Sequence, residues 1–377
     1  MENLAHTLTG VALARTGLGR RVPFGTATLA AVANLPDIDV VSGFWGPLYY
    51  LDYHRGITHS LPGIIVQGLI VSFLLWEYAR RREPSRHRFL PILGVVWLTL
   101  ATHPLLDWTN TYGLRPFLPF HEARYHGDVF FIIDPYLWII LGLAIFLTAR
   151  RTTVSRLSWI VISLTIAVVA VQFALNEPAA GFALLAILAL GWALAVSCKW
   201  RRTVWPGQVA TGCLIGIVLY AGALSLLHAR THQKVLAEMS PDFGAESVHS
   251  LGLLPHPANP LRWYALFFAD SQLRFGQAYA LGRRSTEWTL YRSQTDHPLV
   301  SRALQSCPGQ VLSRFGRYPL YEVVYKDGRP YSVIFRDARF SRSGRTGFGV
   351  YEILLDPADG TPLSTAPCPP RRQPGKR

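Results

Sequence analysis

Over the first 227 residues, long apolar runs alternate with short basic loops; beyond them the pattern shortens to stretches that alternate residue by residue. Segments 157–175, 179–198 and 203–227 carry no charged residue and reach the length of about 20 residues that crosses the hydrocarbon core as a helix. Segments 61–78, 89–107 and 129–149 are equally apolar but hold ionisable groups at one end. Apolar runs this numerous and this closely spaced predict a polytopic α-helical membrane domain rather than the buried helices of a large soluble core. Ahead of them, residues 1–41 predict a short helical hairpin that turns at the basic "GLGRR". After residue 228, "YPLYEVVYKDGRPYSVIFRDARF" alternates apolar and polar positions around an Asp-Gly turn signal, which predicts a β-hairpin. "RWYALFF", "RFGQAYAL" and "FGVYEILLD" read as further strands. The expected fold is mainly α, followed by a small antiparallel β domain of about five strands. The expected division is a helical membrane domain over 1–150, additional transmembrane helices over 151–227, a β-rich extramembrane domain over 228–366 and a disordered, proline-rich tail over 367–377.

Composition agrees with this reading. Half of the 377 residues are hydrophobic and 16% are charged, and mean hydropathy is positive at +0.21. The formal net charge of +14 would suit a nucleic-acid partner, but its distribution is topological. Of the seventeen Lys and Arg in residues 1–227, fourteen fall in "RTGLGRR" (15–21), "RRREPSRHR" (80–88), "RRTTVSR" (150–156) and "KWRR" (199–202), which are alternate loops. The positive-inside rule makes those loops cytoplasmic, and no nucleic-acid partner is expected. Trp45, Trp138 and Trp263 are expected at membrane interfaces. The four cysteines show no zinc-finger spacing, and a Cys307–Cys368 disulfide is open to an outward-facing domain on grounds of compartment alone.

That topology brings the histidine-rich ends of several segments to the outer side. His6 and the "PDID" carboxylates Asp37 and Asp39 close the hairpin; His54 and His59 precede the first long run. His103 and Asp107 end the second, and His126, Asp128 and Asp134 open the third. In "HPLLD" the i, i+4 spacing places His103 and Asp107 on one helix face. In "HRGITHS" Gly56 suggests a loop entering a helix, where Arg55 and the Thr58 and Ser60 hydroxyls could receive an anion such as phosphate. Ionisable groups at membrane depth are rare unless paired or metal-bound, so their convergence predicts a metal site. Mixed imidazole and carboxylate ligands favour zinc, with manganese or iron as alternatives.

"HTLTG", "PDID", "HRGITHS", "HPLLD" and "HGD" resemble the YdjM-like family of LexA-regulated, inner-membrane metal-dependent hydrolases, over roughly residues 1–140. "NPLRWYALF" (259–267) is similar to the start of that family's C-terminal extension. More distantly, the order of ligand residues is similar to zinc-dependent phospholipase C and related single-strand nucleases, which implies phospholipase C-like metal-site helices and one to three zinc ions. Carried over by motif, Asp39, His59, His103 and Asp107 would surround one ion, with Asp37 open as the alternative to Asp39. Asp107 would bridge to a second ion held by His6, and His126 would begin a third site that lacks its usual HxxxE partner. His54 and Asp134 are additional candidates. The resemblance implies a bacterial inner-membrane protein, and the apolar runs with the positive-inside rule make it multi-pass, with the site and C-terminal domain on the periplasmic side. The expected activity is hydrolysis of phosphoester bonds in a lipid-linked or periplasmic substrate at the bilayer surface. Arg55 would clamp a phosphoryl oxygen, and Asp37 or Asp128 would act as general base. A non-catalytic, metal-stabilised envelope protein is the main alternative. A metal or anion transporter would need mid-membrane charge and repeated broken helices, which the runs after residue 157 lack.

Overall fold

The computed structural model describes residues 1–82, 88–148, 157, 160–161, 163–165, 167–168, 171–172, 178–201, 206–239, 250–257, 259–269, 272–281, 288–363 and 367–369. These residues divide into two compact units. The first comprises Met1–Ile38, Ile57–His228 and Pro255–Leu261; the second comprises Asp39–Gly56, Ala229–Leu254 and Arg262–Arg377.

The first unit is helical. Helix α1 (Asn3–Arg15) starts where the Glu2 carboxylate accepts the Ala5 N–H at 2.8 Å, and a 3-10 turn at Leu18–Arg21 leads to α2 (Thr26–Asn34). The two helices cross at Gly10, where a Cβ would stand 2.3 Å from the Leu29 carbonyl oxygen, so the close approach requires glycine. Asn34 donates to Thr7 Oγ1 at 2.8 Å and ties the open ends of this hairpin together. After a short helix α3 (Pro47–Tyr53), which belongs to the second unit, come α4 (Leu61–Arg82) and α5 (Phe89–Trp108). Helix α4 buries Ile64, Gly68 and Ser72 and exposes Ile65, Leu69, Ile70, Phe73 and Leu74 on the opposite face. Small residues inward and large apolar ones outward is the pattern of a helix solvated by lipid. Three further helices are α6 (Pro135–Thr148), α7 (Pro178–Arg201) and α8 (Pro206–Met239).

Among the described residues, α4, α5 and Gly207–Met239 of α8 are long and apolar enough to cross a membrane, while Pro135–Thr148 and Ala183–Ala193 are shorter apolar helices. The expected run 129–149 is therefore helical only from Pro135, because 126–130 is laid against the end of α5: Gly127 N donates to the Trp108 carbonyl and Val129 N to that of Thr109. The run 203–227 continues as helix to Met239, since nothing in its polar continuation breaks the i to i+4 ladder. Most of 157–175 and of the basic loops at 83–87, 150–156 and 202 lies outside the described residues; those described within 157–175 are helical.

The second unit carries the strands. A four-stranded sheet has the order β1 (Gly252–His256), β2 (Asn259–Ala269), β3 (Gln272–Tyr279), β4 (Thr289–Arg292); a three-stranded sheet has the order β5 (Pro319–Lys326), β6 (Arg329–Asp337), β7 (Val350–Leu354). The β5–β6 hairpin turns at Asp327 and Gly328, with φ of 52° and 74°, as the "KDGR" signal predicts. Two sheets rather than one sheet of about five strands form because helices α9 (Pro298–Gln305) and α10 (Cys307–Phe315), not anticipated from strand alternation, interrupt the strand sequence between them. The core of the three-stranded part takes in Leu48 of α3 alongside Val300, Val311 and Phe335, and Asp52 of α3 receives Arg314 at 3.0 Å. Two expected interfacial tryptophans are interior: Trp263 is 1% exposed within β2, and Trp138 is buried with its Nε1–H donated to Glu2. Cys307 and Cys368 form the disulfide, so the expected disordered tail is anchored at its start; residues 370–377 lie outside the described ones.

Candidate metal centre

Four side chains of the helical unit, Asp37, His59, His103 and Asp107, bring one ligand atom each to within 4.8 Å of one another. Each arrives by a different route. Asp37 sits at the start of the 3-10 segment Leu35–Trp45, where Pro36 follows the end of α2. His59 ends the 3-10 turn Ile57–His59. That turn is locked by Gly63, where a Cβ would lie 1.9 Å from the Ile57 carbonyl oxygen, and by Gln67, which donates to the Thr58 carbonyl at 2.6 Å. His103 and Asp107 lie one turn apart on α5, as their spacing requires.

The separations have a regular form. His59 Nε2 stands 3.1 Å from His103 Nε2, 3.4 Å from Asp37 Oδ1 and 3.3 Å from Asp107 Oδ2; His103 Nε2 stands 3.4 Å from both carboxylates. A tetrahedron of ligands at about 2.0–2.1 Å from a central ion has edges of roughly 3.3–3.4 Å. Four edges of this group match that length, and the edge between the two imidazoles is shorter at 3.1 Å.

Tautomers point the same way. His103 Nδ1 lies 2.6 Å from the Ala33 carbonyl oxygen, which can only accept, so Nδ1 carries the proton and the neutral ring turns a lone pair inward at Nε2. Ala33 is in the last turn of α2, where a helix carbonyl lacks an internal partner. His59 Nδ1 is 3.0 Å from Thr58 Oγ1, which orients its Nε2 inward as well. Two inward imidazole nitrogens and two carboxylates, all buried except the partly exposed Asp37, require protons or a cation between them. With protons on both Nε2 atoms, burial would push the Asp37 carboxyl up, but hydrogen bonds from His103 and His59 outweigh it and hold Asp37 well below the usual carboxylate range. The donor set and its geometry thus fit a divalent ion.

Asp107 faces two ways. Its Oδ2 belongs to the group of four; its Oδ1 is 3.4 Å from His6 Nε2 and receives the Met1 amine. The His6 ring stacks on His103 with centroids 3.7 Å apart, and His6 Nδ1 is buried without a hydrogen-bond partner among the described residues.

The remaining expected residues are placed otherwise. Asp39 is grouped with His54 and Arg55: its Oδ1 is 2.8 Å from His54 Nδ1, and its Oδ2 accepts the Arg55 N–H at 3.0 Å. Arg55 is buried and has φ of 55°, a strained backbone for a residue other than glycine. Asp134 caps α6, accepting from Leu137 N at 3.0 Å and from Tyr220 Oη at 3.3 Å, and lies outside the group of four. The group of four excludes His126, whose ring packs against Gly113, and Asp128, which is buried at φ 52° in the loop behind α5. The Thr58 and Ser60 hydroxyls, expected to receive an anion, serve the fold instead: one orients His59, and the other donates to the Ile57 carbonyl and accepts from Gly63 N. Sequence reasoning missed Ala33, Gly63 and Gln67, since a carbonyl, a steric gap and an amide nine residues away leave no ligand-type signal.

Residues 1–176 match the model of the YdjM inner membrane protein family, the family the motifs resemble. Over 113 residues the chain is 28% identical to a Bacillus subtilis (strain 168) protein described as uncharacterized protein YfhP; the alignment covers 30% of this chain and 33% of that protein. The chain thus spans about a third of that relative's length. No solved structure matches, and the phospholipase C resemblance finds no counterpart in these comparisons. With its inner-membrane family match and three span-length apolar helices, the chain is a membrane protein carrying a candidate metal-binding group.

Proposed function

We propose, from the YdjM family match and the tetrahedral spacing of Asp37, His59, His103 and Asp107, that this protein is an integral-membrane, zinc-dependent hydrolase of phosphoester bonds. The reading rests above all on the edge lengths of 3.1–3.4 Å around two inward-facing Nε2 atoms. When bound there, a divalent ion supplies Lewis acidity and a water of lowered pKa. The Ala33 carbonyl fixes the proton of His103 on Nδ1, and Thr58 holds the His59 ring with its Nε2 toward that position. Asp107 presents its second oxygen to His6, which offers a further pair of donors for a second ion. Arg55 is the candidate to hold a phosphoryl oxygen; its strained, buried backbone is the kind retained at functional sites. Since Asp37 belongs to the ligand set, Asp128 is the candidate general base. The proposed substrate is a lipid-linked or periplasmic phosphoester, met at the outer surface by a multi-pass protein whose basic loops are cytoplasmic. The Cys307–Cys368 disulfide supports an oxidising location for the second unit.

One observation favours a second reading. Four protein donors close a tetrahedron, and closed zinc sites are structural, whereas catalytic ones keep a water position. A metal-stabilised envelope protein without turnover would have this site. Metal content and hydrolysis of generic phosphodiester and phosphomonoester substrates by detergent-purified protein separate the two. Chelator-sensitive turnover together with bound zinc supports the hydrolase; zinc without turnover supports the structural site; no bound metal refutes both. In Asp107→Ala, unchanged metal content would refute the ligand assignment.

A further inference from the structure

A cavity of roughly 1110 Å³ lies in the helical unit at the far end of α1 from His6. His6 and Arg15 are nine residues apart on α1, about 14 Å along the axis, so this cavity is separate from the metal group. It opens between the C-terminal ends of α1 and α6 and the N-terminal ends of α2 and α8. Among the described residues, no acidic side chain lines it. Its polar side chains are Arg15, Arg20, Gln208 and four threonines, of which Thr16, Thr148 and Thr211 donate their hydroxyls to helix carbonyls.

Several arginines of the chain are ion-paired: Arg80 and Arg81 with Glu77, Arg314 with Asp52, Arg336 with Glu322 and Arg339 with Asp337. Arg15 and Arg20 have no ion pair among the described residues, and Arg15 Nε is shielded from solvent without a hydrogen-bond partner among them. The half-buried Arg15 and the exposed Arg20 offer guanidinium groups that suit an acceptor-rich anion. The N-terminal ends of α2 and α8 add positive potential. Of the two opposing C-terminal ends, that of α1 is muted, because its last carbonyls already accept from Thr16 N, Gly17 N and Thr16 Oγ1, while that of α6 also faces the cavity at Thr148. Ala14, Ile215 and the glycines supply an apolar wall beside the cationic one. Gly207 lets α8 come this close, since a Cβ there would lie 3.2 Å from the Thr16 carbonyl oxygen.

We infer that this cavity binds a phosphate group carried by an anionic phospholipid, with Arg15 and Arg20 on the phosphate and the Ala14–Ile215 wall against the glycerol and first acyl carbons. The pairing of cationic and apolar walls distinguishes a lipid head group from free phosphate. The inference does not depend on hydrolysis at the metal group.

The test is native mass spectrometry of the full-length, detergent-purified protein titrated with phosphatidylglycerol and, in a parallel arm, with inorganic phosphate. Two variants bracket the site. Arg15→Gln/Arg20→Gln removes the charges. Gly212→Leu keeps them but fills the space, because a Cβ at Gly212 meets no atom within 4 Å. The wild type is expected to hold one phosphatidylglycerol saturably, and each variant to weaken it at least about tenfold with bound metal unchanged. Equal binding by all three proteins would overturn the inference, as would loss in the arginine variant alone, which would indicate surface charge rather than a cavity. Inorganic phosphate displacing the lipid at similar concentration would refute the lipid as its source.

Discussion

His103 shows how much of the candidate chemistry is settled by a single ring. One nitrogen is committed to the Ala33 carbonyl at 2.6 Å, which leaves the other, 3.1 Å from its counterpart on His59, to face a proton or a cation. The supporting hydroxyl on His59 is testable. Thr58→Val removes the partner of His59 Nδ1 and is expected to weaken metal binding about tenfold or more, read by competition with a chromogenic chelator, with little change in thermal stability. Unchanged affinity would show that the ring is held by packing alone. Arg55 belongs to the same scale. In the proposed hydrolase, Arg55→Ala keeps its metal, measured by elemental analysis, but loses about a hundredfold or more in turnover.

At the scale of elements, the hairpin of α1 and α2 positions the site from both ends: α1 brings His6, and α2 brings the Ala33 carbonyl and leads into Asp37. Its geometry depends on the crossing at Gly10, with 2.3 Å from a Cβ to the Leu29 oxygen. Gly10→Val is expected to force the helices apart at a cost of about 1–3 kcal/mol, lowering the melting temperature and releasing metal together. Gly94→Ala on α5 is the control. A Cβ at that position meets nothing within 4 Å, so melting temperature and metal content are expected to stay or rise slightly. Equal losses in both variants would contradict a specific role for the crossing.

For the whole molecule, the helical unit turns large apolar side chains outward on α4 as well as inward to its core, whereas the second unit buries its aromatics in two small sheets. These are two solvents' worth of folding rules in one chain. The Cys307–Cys368 bond closes a separation of 61 residues across the second unit. Replacing both cysteines by serine is expected to cost that unit about 2–4 kcal/mol, seen as faster proteolysis of the purified protein, while metal content stays at the wild-type level. Parallel loss of metal would show that the site needs the second unit intact.

Local physics made much of this protein legible from its sequence. Apolar runs of span length, the i, i+4 pair His103 and Asp107, the helical hairpin at the start and the Asp-Gly turn of β5–β6 all follow from periodicities and turn chemistry that act within a few residues. The inventory of ligand-type residues was legible for the same reason. What the tertiary structure decided were choices between chemically equal groups. Asp37 rather than Asp39 joins His59, His103 and Asp107, because a carboxylate two residues along a 3-10 segment points elsewhere and finds His54. Asp134 became a helix cap, Trp263 a core residue and residues 39–56 part of the second unit. Each of those outcomes depends on partners tens to hundreds of residues away, and chain-local patterns carry no information about them.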